Sequence, residues 1–193
     1  MPEVVICAVA RTPVGRYRGA LANRSAVELG IHTVKGLLAR AKIDPASGII
    51  DEVVFGQVLQ TGVGQAPARQ VALGAGMPVS TPATTLNKVC GSALKAVMMA
   101  ANSIRAGEYS VIVAGGMESM SNAPYFAQKI SRTEFSEMKP TMVHDGLWDV
   151  YNDEHMGNTG EAIAKECNIS RETADTFSAR SHKLADAAWN QGW

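Results

Sequence analysis

The sequence predicts an α/β protein in which a mostly parallel, mixed sheet is layered between helices on both faces. Three observations lead there. Strand-like and helix-like stretches alternate up to about residue 116, and a strand that hands over to a helix returns as a parallel neighbour through a crossover. The run Val111-Ile112-Val113-Ala114 has no polar break, as expected for a strand covered on both faces. Helix boundaries carry their own chemistry: Ser25 and Glu28 form a capping-box signature, and Gly107 stands where a left-handed C-cap belongs.

Taken in order, residues 4–10 are almost wholly apolar and predict a buried first strand, too short to span a bilayer. A basic, glycine-containing loop, Arg11-Thr12-Pro13-Val14-Gly15-Arg16, follows it. Val27, Ile31, Val34, Leu38 and Ala41 then recur at helical spacing until Pro45 and Gly48 stop the pattern. A second strand fits 52–59. A short helix fits 67–74, with Pro67 in the first turn, where its missing N–H costs nothing. A third strand fits 81–89. The helix after Cys90 carries Leu94, Val97, Met98, Ala101 and Ile104 on one stripe, with Gly107 as its C-cap. A fourth strand fits 110–114. Residues 1–116 therefore read as one α/β half-domain. From 117 to 158 the chain is rich in Met, Ser, Asn and Pro with weak periodicity, a long excursion of the kind that carries function. Helices over 159–167 and from Ser170 onward close the chain, so 117–193 reads as a second region.

Eighteen basic and eighteen acidic residues cancel, which excludes a nucleic-acid-binding face. Cys7, Cys90 and Cys167 stand far apart and are odd in number, which argues against a disulfide framework, for a reducing compartment and for a cytoplasmic protein. No metal-finger spacing occurs, and Gly15, Gly19, Gly62 and Gly64 form no dinucleotide fingerprint, so no metal and no cofactor is expected. Cys7 and Cys167 lie on apolar elements and read as structural.

Cys90 is the sharpest candidate for chemistry. It falls between an apolar strand and a helix that opens Gly91-Ser92-Ala93. A cysteine there faces unpaired N–H groups and the positive end of the helix dipole, a setting that suits the nucleophilic thiolate. Its own N–H points where an oxyanion can sit. The bland alternative is a buried, inert cysteine, the commoner fate of a free thiol. Glu118, after Gly115-Gly116, reads as a structural carboxylate rather than a catalytic one. Lys88 and Lys95 read as solvated.

The run Asn87-Lys88-Val89-Cys90-Gly91-Ser92-Ala93-Leu94 resembles the nucleophile motif of thiolases. Val113-Ala114-Gly115-Gly116-Met117-Glu118-Ser119-Met120-Ser121, the opening Arg11-Thr12-Pro13-Val14-Gly15, and His155-Met156-Gly157 resemble that family in order and spacing. The likeness is closer to acetoacetyl-CoA thiolases (acetyl-CoA C-acetyltransferases) than to the 3-ketoacyl-CoA thiolases of fatty-acid β-oxidation. One departure is Ala93, where relatives usually carry Gly.

The resemblance implies a thiolase-like layered fold, with residues 117–193 as the start of an inserted loop domain. It implies that Cys90 accepts an acyl group and that Leu147, His155 and Met156 line the pantetheine tunnel. On the residues alone, His155 reads equally as a loop histidine and Met156 as core filler. The substrates implied are acetyl-CoA and acetoacetyl-CoA, with coenzyme A thioester as substrate and no further cofactor. A homodimer or homotetramer is implied, with no nucleic-acid or membrane partner. The family's activating His, its oxyanion-hole residues and its second Cys belong to Asn-Glu-Ala-Phe, Gly-His-Pro and Cys-x-Gly motifs. None of these occurs in the 193 residues, so a C-terminal thiolase half is expected to be required. The other readings are a non-catalytic acyl-CoA-binding or assembly fragment, and a ketoacyl synthase acting on carrier-protein thioesters.

Overall fold

A computed structural model describes residues 3–192. The chain divides between Gly146 and Leu147 into two compact units. In the first, α1 spans Ala26–Ala41, β1 Glu52–Gly56, α2 Pro67–Ala75, β2 Ala83–Leu86, α3 Ser92–Ala106 and β3 Ile112–Gly116. The three strands form a parallel sheet in the order β2-β1-β3. The expected α/β class with a parallel sheet between helices is what the chain adopts.

Local chemistry sets the helix ends. Ser25 and Glu28 form the reciprocal capping box of α1, and the Ser25 N–H that donates to the Glu28 carboxylate holds it below its ordinary value. Lys42 and Gly107 close α1 and α3 in the left-handed conformation. The core lies on one face of the sheet, where Val34 and Leu38 of α1 and Ala68, Val71, Ala72 and Ala75 of α2 pack against Val53, Phe55 and Val113. The opposite face of the central strands presents Val54, Gly56, Ala114 and Gly116, and α3 lies there, because successive strand residues point to opposite faces.

Asp51 ties the front edges of β1 and β3 together. Its Oδ2 accepts from Ser110 N–H at 2.7 Å and Val111 N–H at 2.8 Å. The backbone donors of Val111 and Ser110 hold this carboxyl below its ordinary value. A depressed folded value contributes stability that is present above the ordinary carboxylate range and lost as pH falls through the folded one. Asp51→Ala is therefore expected to lower the unfolding free energy at neutral pH by about 1–2 kcal/mol, exposure being taken into account. In urea titrations its difference from the parent should shrink below about pH 4. A difference independent of pH would show that the carboxylate charge is not what matters.

Several expectations need correction. Residues 4–10 pair with no strand among the described residues, and Val5, Ile6 and Val9 are 64%, 76% and 68% exposed. An apolar run becomes a strand only where a neighbouring edge takes its N–H and C=O groups. The third strand is shorter than 81–89: it spans Ala83–Leu86, and the chain then turns sharply at Val89, φ +46°. Helix α3 does not pack through its large residues. Leu94, Val97 and Met98 are exposed, and Ser92, Ala96 and Ala100 face the sheet. Cys7 and Cys167 are exposed, not structural core.

The excursion is more ordered than its composition suggests. Tyr125–Phe126 (β4) pairs antiparallel with Lys139–Pro140 (β5), and Met142–Leu147 forms one π-helical turn. In the second unit, Trp148–Asp149 (β6) pairs antiparallel with Glu154–His155 (β7). Asn152 and the Tyr151 N–H donate to Asp149 at that hairpin's turn and hold its carboxyl below the ordinary value. Helices α4, Met156–Glu166, and α5, Arg171–Asn190, follow, the latter capped by Ser170 as its sequence indicates.

Candidate active site

Cys90 is exposed at the mouth of α3. Three features put it there. Gly91 is the N-cap of α3 and offers no side chain, so no side chain caps the helix start. Ser92 N–H is taken by the Val89 carbonyl, and with no side-chain cap the rest of the first turn and the dipole of a 15-residue helix are left to whatever lies in front of them. Val89 adopts φ +46°, a conformation that a β-branched residue avoids at a cost of about 1–3 kcal/mol. That kink sends the chain out of β2 and into α3 within a few residues, leaving the thiol at the corner. A nucleophile on a strained strand-to-helix turn is a recurring solution for presenting a reactive atom to a substrate.

The strained peptide is held from both ends. Val89 N–H donates to Asn87 Oδ1 at 2.9 Å, and Asn87 Nδ2 donates to Val58 O at 3.3 Å. The Val89 carbonyl accepts from Ser92 N–H at 3.1 Å and from Ser92 Oγ at 2.6 Å. Ser92 Oγ in turn accepts from Lys88 N–H at 2.8 Å. The loop that receives Asn87 is itself anchored. Glu118 Oε2 accepts from Val58 N–H at 2.9 Å and Leu59 N–H at 3.3 Å, which is the structural carboxylate role its position indicates.

Two glycines seat the helix. Gly56 and Gly116 are register partners at the ends of β1 and β3. A Cβ on Gly56 would lie 2.5 Å from Ser92 Cβ and 2.7 Å from the Ser92 carbonyl carbon. A Cβ on Gly116 would lie 2.8 Å from Ala93 Cβ. The Ala93 methyl is thus directed at Gly116, where only a glycine leaves room for it.

The remaining candidates belong to the second unit. Trp148 and His155 are register partners. Leu147 immediately precedes the one and Met156 immediately follows the other, so all three candidates gather at the open end of one hairpin. His155 is also the N-cap of α4: its Nδ1 accepts from Gly157 N–H at 3.0 Å. In the neutral ring that leaves Nε2–H as the free donor. Both His155 and Met156 are exposed, and Leu147 is half-buried. Of the other histidines, His32 and His182 are exposed on helices, and His144 meets Asp145 at 2.6 Å and the edge of Phe126.

Among the described residues no cluster of His, Cys, Asp and Glu has the spacing of a metal site, and no helix is long and apolar enough to cross a membrane. Sequence reasoning singled out Cys90 as a candidate but not the residues that surround it, Asn87, Ser92, Gly56 and Gly116. The available signals were an Asn two residues before a kink and glycines at the ends of two strands. Neither is specific without knowing which elements touch.

An acetyl-CoA acetyltransferase of Cupriavidus necator is 50% identical over 196 residues, matching all of this chain and 49% of that protein. A mitochondrial acetyl-CoA acetyltransferase of Mus musculus is 47% identical over 192 residues, matching 98% of this chain and 45% of that protein. The Acat5 thiolase of Ascaris suum, solved in complex with coenzyme A, superimposes with a TM-score of 0.90 at 36% identity, covering 96% of this chain and 48% of that one. The chain thus spans about half the length of these relatives. The family described as thiolase, N-terminal domain, matches residues 4–193, and the chain belongs to the thiolase family.

Proposed function

We propose that this chain supplies the nucleophilic half of an acetyl-CoA acetyltransferase. The observation that carries the reading is the exposed Cys90 thiol at an uncapped helix start, on a turn built to present it. Cys90 sulfur attacks the thioester carbonyl of one acetyl-CoA. The carbon–sulfur bond to coenzyme A breaks, and the acetyl group rests on Cys90. A second acetyl-CoA, deprotonated at its methyl carbon, attacks that acyl-cysteine. The new carbon–carbon bond gives acetoacetyl-CoA, and the electron pair of the broken bond returns to Cys90 sulfur. Run backward, coenzyme A cleaves the 3-ketoacyl thioester. Splitting one difficult acyl transfer into two easier steps is the gain from covalent catalysis.

Coenzyme A thioester is the substrate, and the chemistry needs no further cofactor. Leu147, His155 and Met156 line the path of the pantetheine arm: a thioether adapts to a flexible tail, and His155 Nε2–H offers a donor to its amides. The names of the relatives, and the coenzyme A bound to the Ascaris thiolase, support this substrate class. Residues 117–193 form the beginning of the loop domain that binds it.

The activating base, the remaining oxyanion donors and the acid come from a C-terminal thiolase half. The exposed Val5, Ile6, Val9, Leu94, Val97 and Met98 are the surface that half covers. The complete enzyme is a homodimer or homotetramer.

The test mixes the chain with the C-terminal half of a relative and adds acetyl-CoA. Intact mass and peptide mapping should find one acetyl group, on Cys90, and none in Cys90→Ala. Omitting the C-terminal half should slow acetylation by about 10²- to 10⁴-fold, the usual worth of a general base. No adduct on Cys90 in the reconstituted pair would overturn the proposal.

A further inference from the structure

We propose that Asn87 is a positioning residue for Cys90, acting with Ser92 to hold Val89 in the left-handed turn that presents the thiol. The inference rests on the reading of Cys90 as the acyl-accepting nucleophile and adds what keeps it in place. Val89 is β-branched, and φ +46° is a conformation such a residue adopts only when its surroundings over-determine it.

The surroundings do so from both sides. On the amide side, Asn87 spans from Val89 N–H to Val58 O, with Oδ1 accepting at one end and Nδ2 donating at the other. Asn87 can make both bonds at once because its primary amide carries an acceptor oxygen and a donor nitrogen on one carbon. On the carbonyl side, Ser92 donates to Val89 O through both its amide and its hydroxyl, while the same hydroxyl accepts from Lys88 N–H. The clamp reaches beyond the turn, since Val58 is itself fixed by the Glu118 carboxylate. One side-chain chain therefore links the ends of β1 and β3 to the peptide just before the nucleophile. Released from it, Val89 falls back to the extended region, and Cys90 swings away from the N-terminus of α3.

Alkylation tests this without any acyl substrate. The full chain is treated with iodoacetamide, and labelling at Cys90, Cys7 and Cys167 is timed by peptide mass. All three thiols are free and exposed, so Cys7 and Cys167 serve as internal references. Asn87→Ala should slow labelling of Cys90 by about tenfold with the two references unchanged. Asn87→Asp keeps the acceptor for Val89 N–H but loses the donor to Val58 O, so its labelling of Cys90 should fall between that of the parent and that of Asn87→Ala. Val89→Gly removes the need for the clamp, so Asn87→Ala combined with Val89→Gly should regain most of the lost rate. Should Asn87→Ala fail to fold, Ser92→Ala interrogates the carbonyl side, with slower Cys90 labelling again restored by Val89→Gly.

Unchanged Cys90 labelling in these variants, equal slowing of all three cysteines, or no recovery with glycine at 89 would each overturn the proposal. An intact clamp in a chain that acetyl-CoA does not acylate would instead count against the transferase reading alone.

Discussion

Gly56→Ala should cost about 3 kcal/mol of stability and slow labelling of Cys90 by about tenfold or more. The added methyl would stand 2.5 Å from Ser92 Cβ, 2.7 Å from the Ser92 carbonyl carbon and 2.8 Å from Ala93 N. Two of those three atoms are backbone, so no rotamer change relieves the overlap. The strand cannot retreat, because Val54 and Phe55 beside it are buried and paired on both sides. The first turn of α3 must therefore lift. With it goes Ser92, the residue whose amide and hydroxyl hold the Val89 carbonyl. Thermal melting reads the stability loss, and iodoacetamide labelling of Cys90 against Cys7 and Cys167 reads the displacement. Parent-like labelling in a destabilised protein would separate the packing of α3 from the presentation of the thiol.

Gly30→Ala and Gly36→Ala, two identical changes in α1, should move stability in opposite directions. At Gly30 a Cβ would meet Val71 Cγ2 at 2.7 Å and Met117 Sδ at 2.8 Å. Val71 is fully buried and stiff at χ1, so it cannot yield as Met117 can. Overpacking there is expected to cost about 2–3 kcal/mol. At Gly36 nothing lies within 4 Å. Alanine there removes the entropic penalty of glycine in a helix interior and should stabilise by about 0.5–1 kcal/mol. Urea midpoints for the pair decide the matter. A stabilising Gly30→Ala would mean that α1 and α2 can separate without loss.

The candidate site was half legible. Cys90 declared itself through chemistry local to the chain: an apolar strand, small residues and a helix start, all within a few positions. The hydrogen bonds that fix it join Asn87 to Val58 and Glu118 to Val58 and Leu59, separations of 29, 60 and 59 residues. Nothing in a linear pattern marks such pairs. Leu147, His155 and Met156 stood out by family likeness, and their gathering at one hairpin end became visible only with the register of Trp148 against His155.

Helix α3 shows the same division from the other side. Its apolar stripe is plain in the sequence, yet the helix meets the sheet through Ser92, Ala96 and Ala100 and leaves Leu94, Val97 and Met98 exposed. Periodicity locates a hydrophobic face; it does not say what covers it. Close approach over Gly56 and Gly116 demanded small side chains and overrode the larger stripe.

The amino-acid sequence by itself determined what short-range interactions decide: the α/β class, the capping box at Ser25, the stop at Gly107, the N-cap at Ser170 and the choice of Cys90 as the candidate nucleophile. Only the tertiary structure decided which faces meet, that residues 4–10 pair with no strand among the described residues, and that Asn87, Ser92 and two glycines converge on the turn before Cys90. Caps and periodicities are satisfied within a few residues of chain. Pairing and close packing are satisfied by atoms that are distant in sequence and adjacent only after folding.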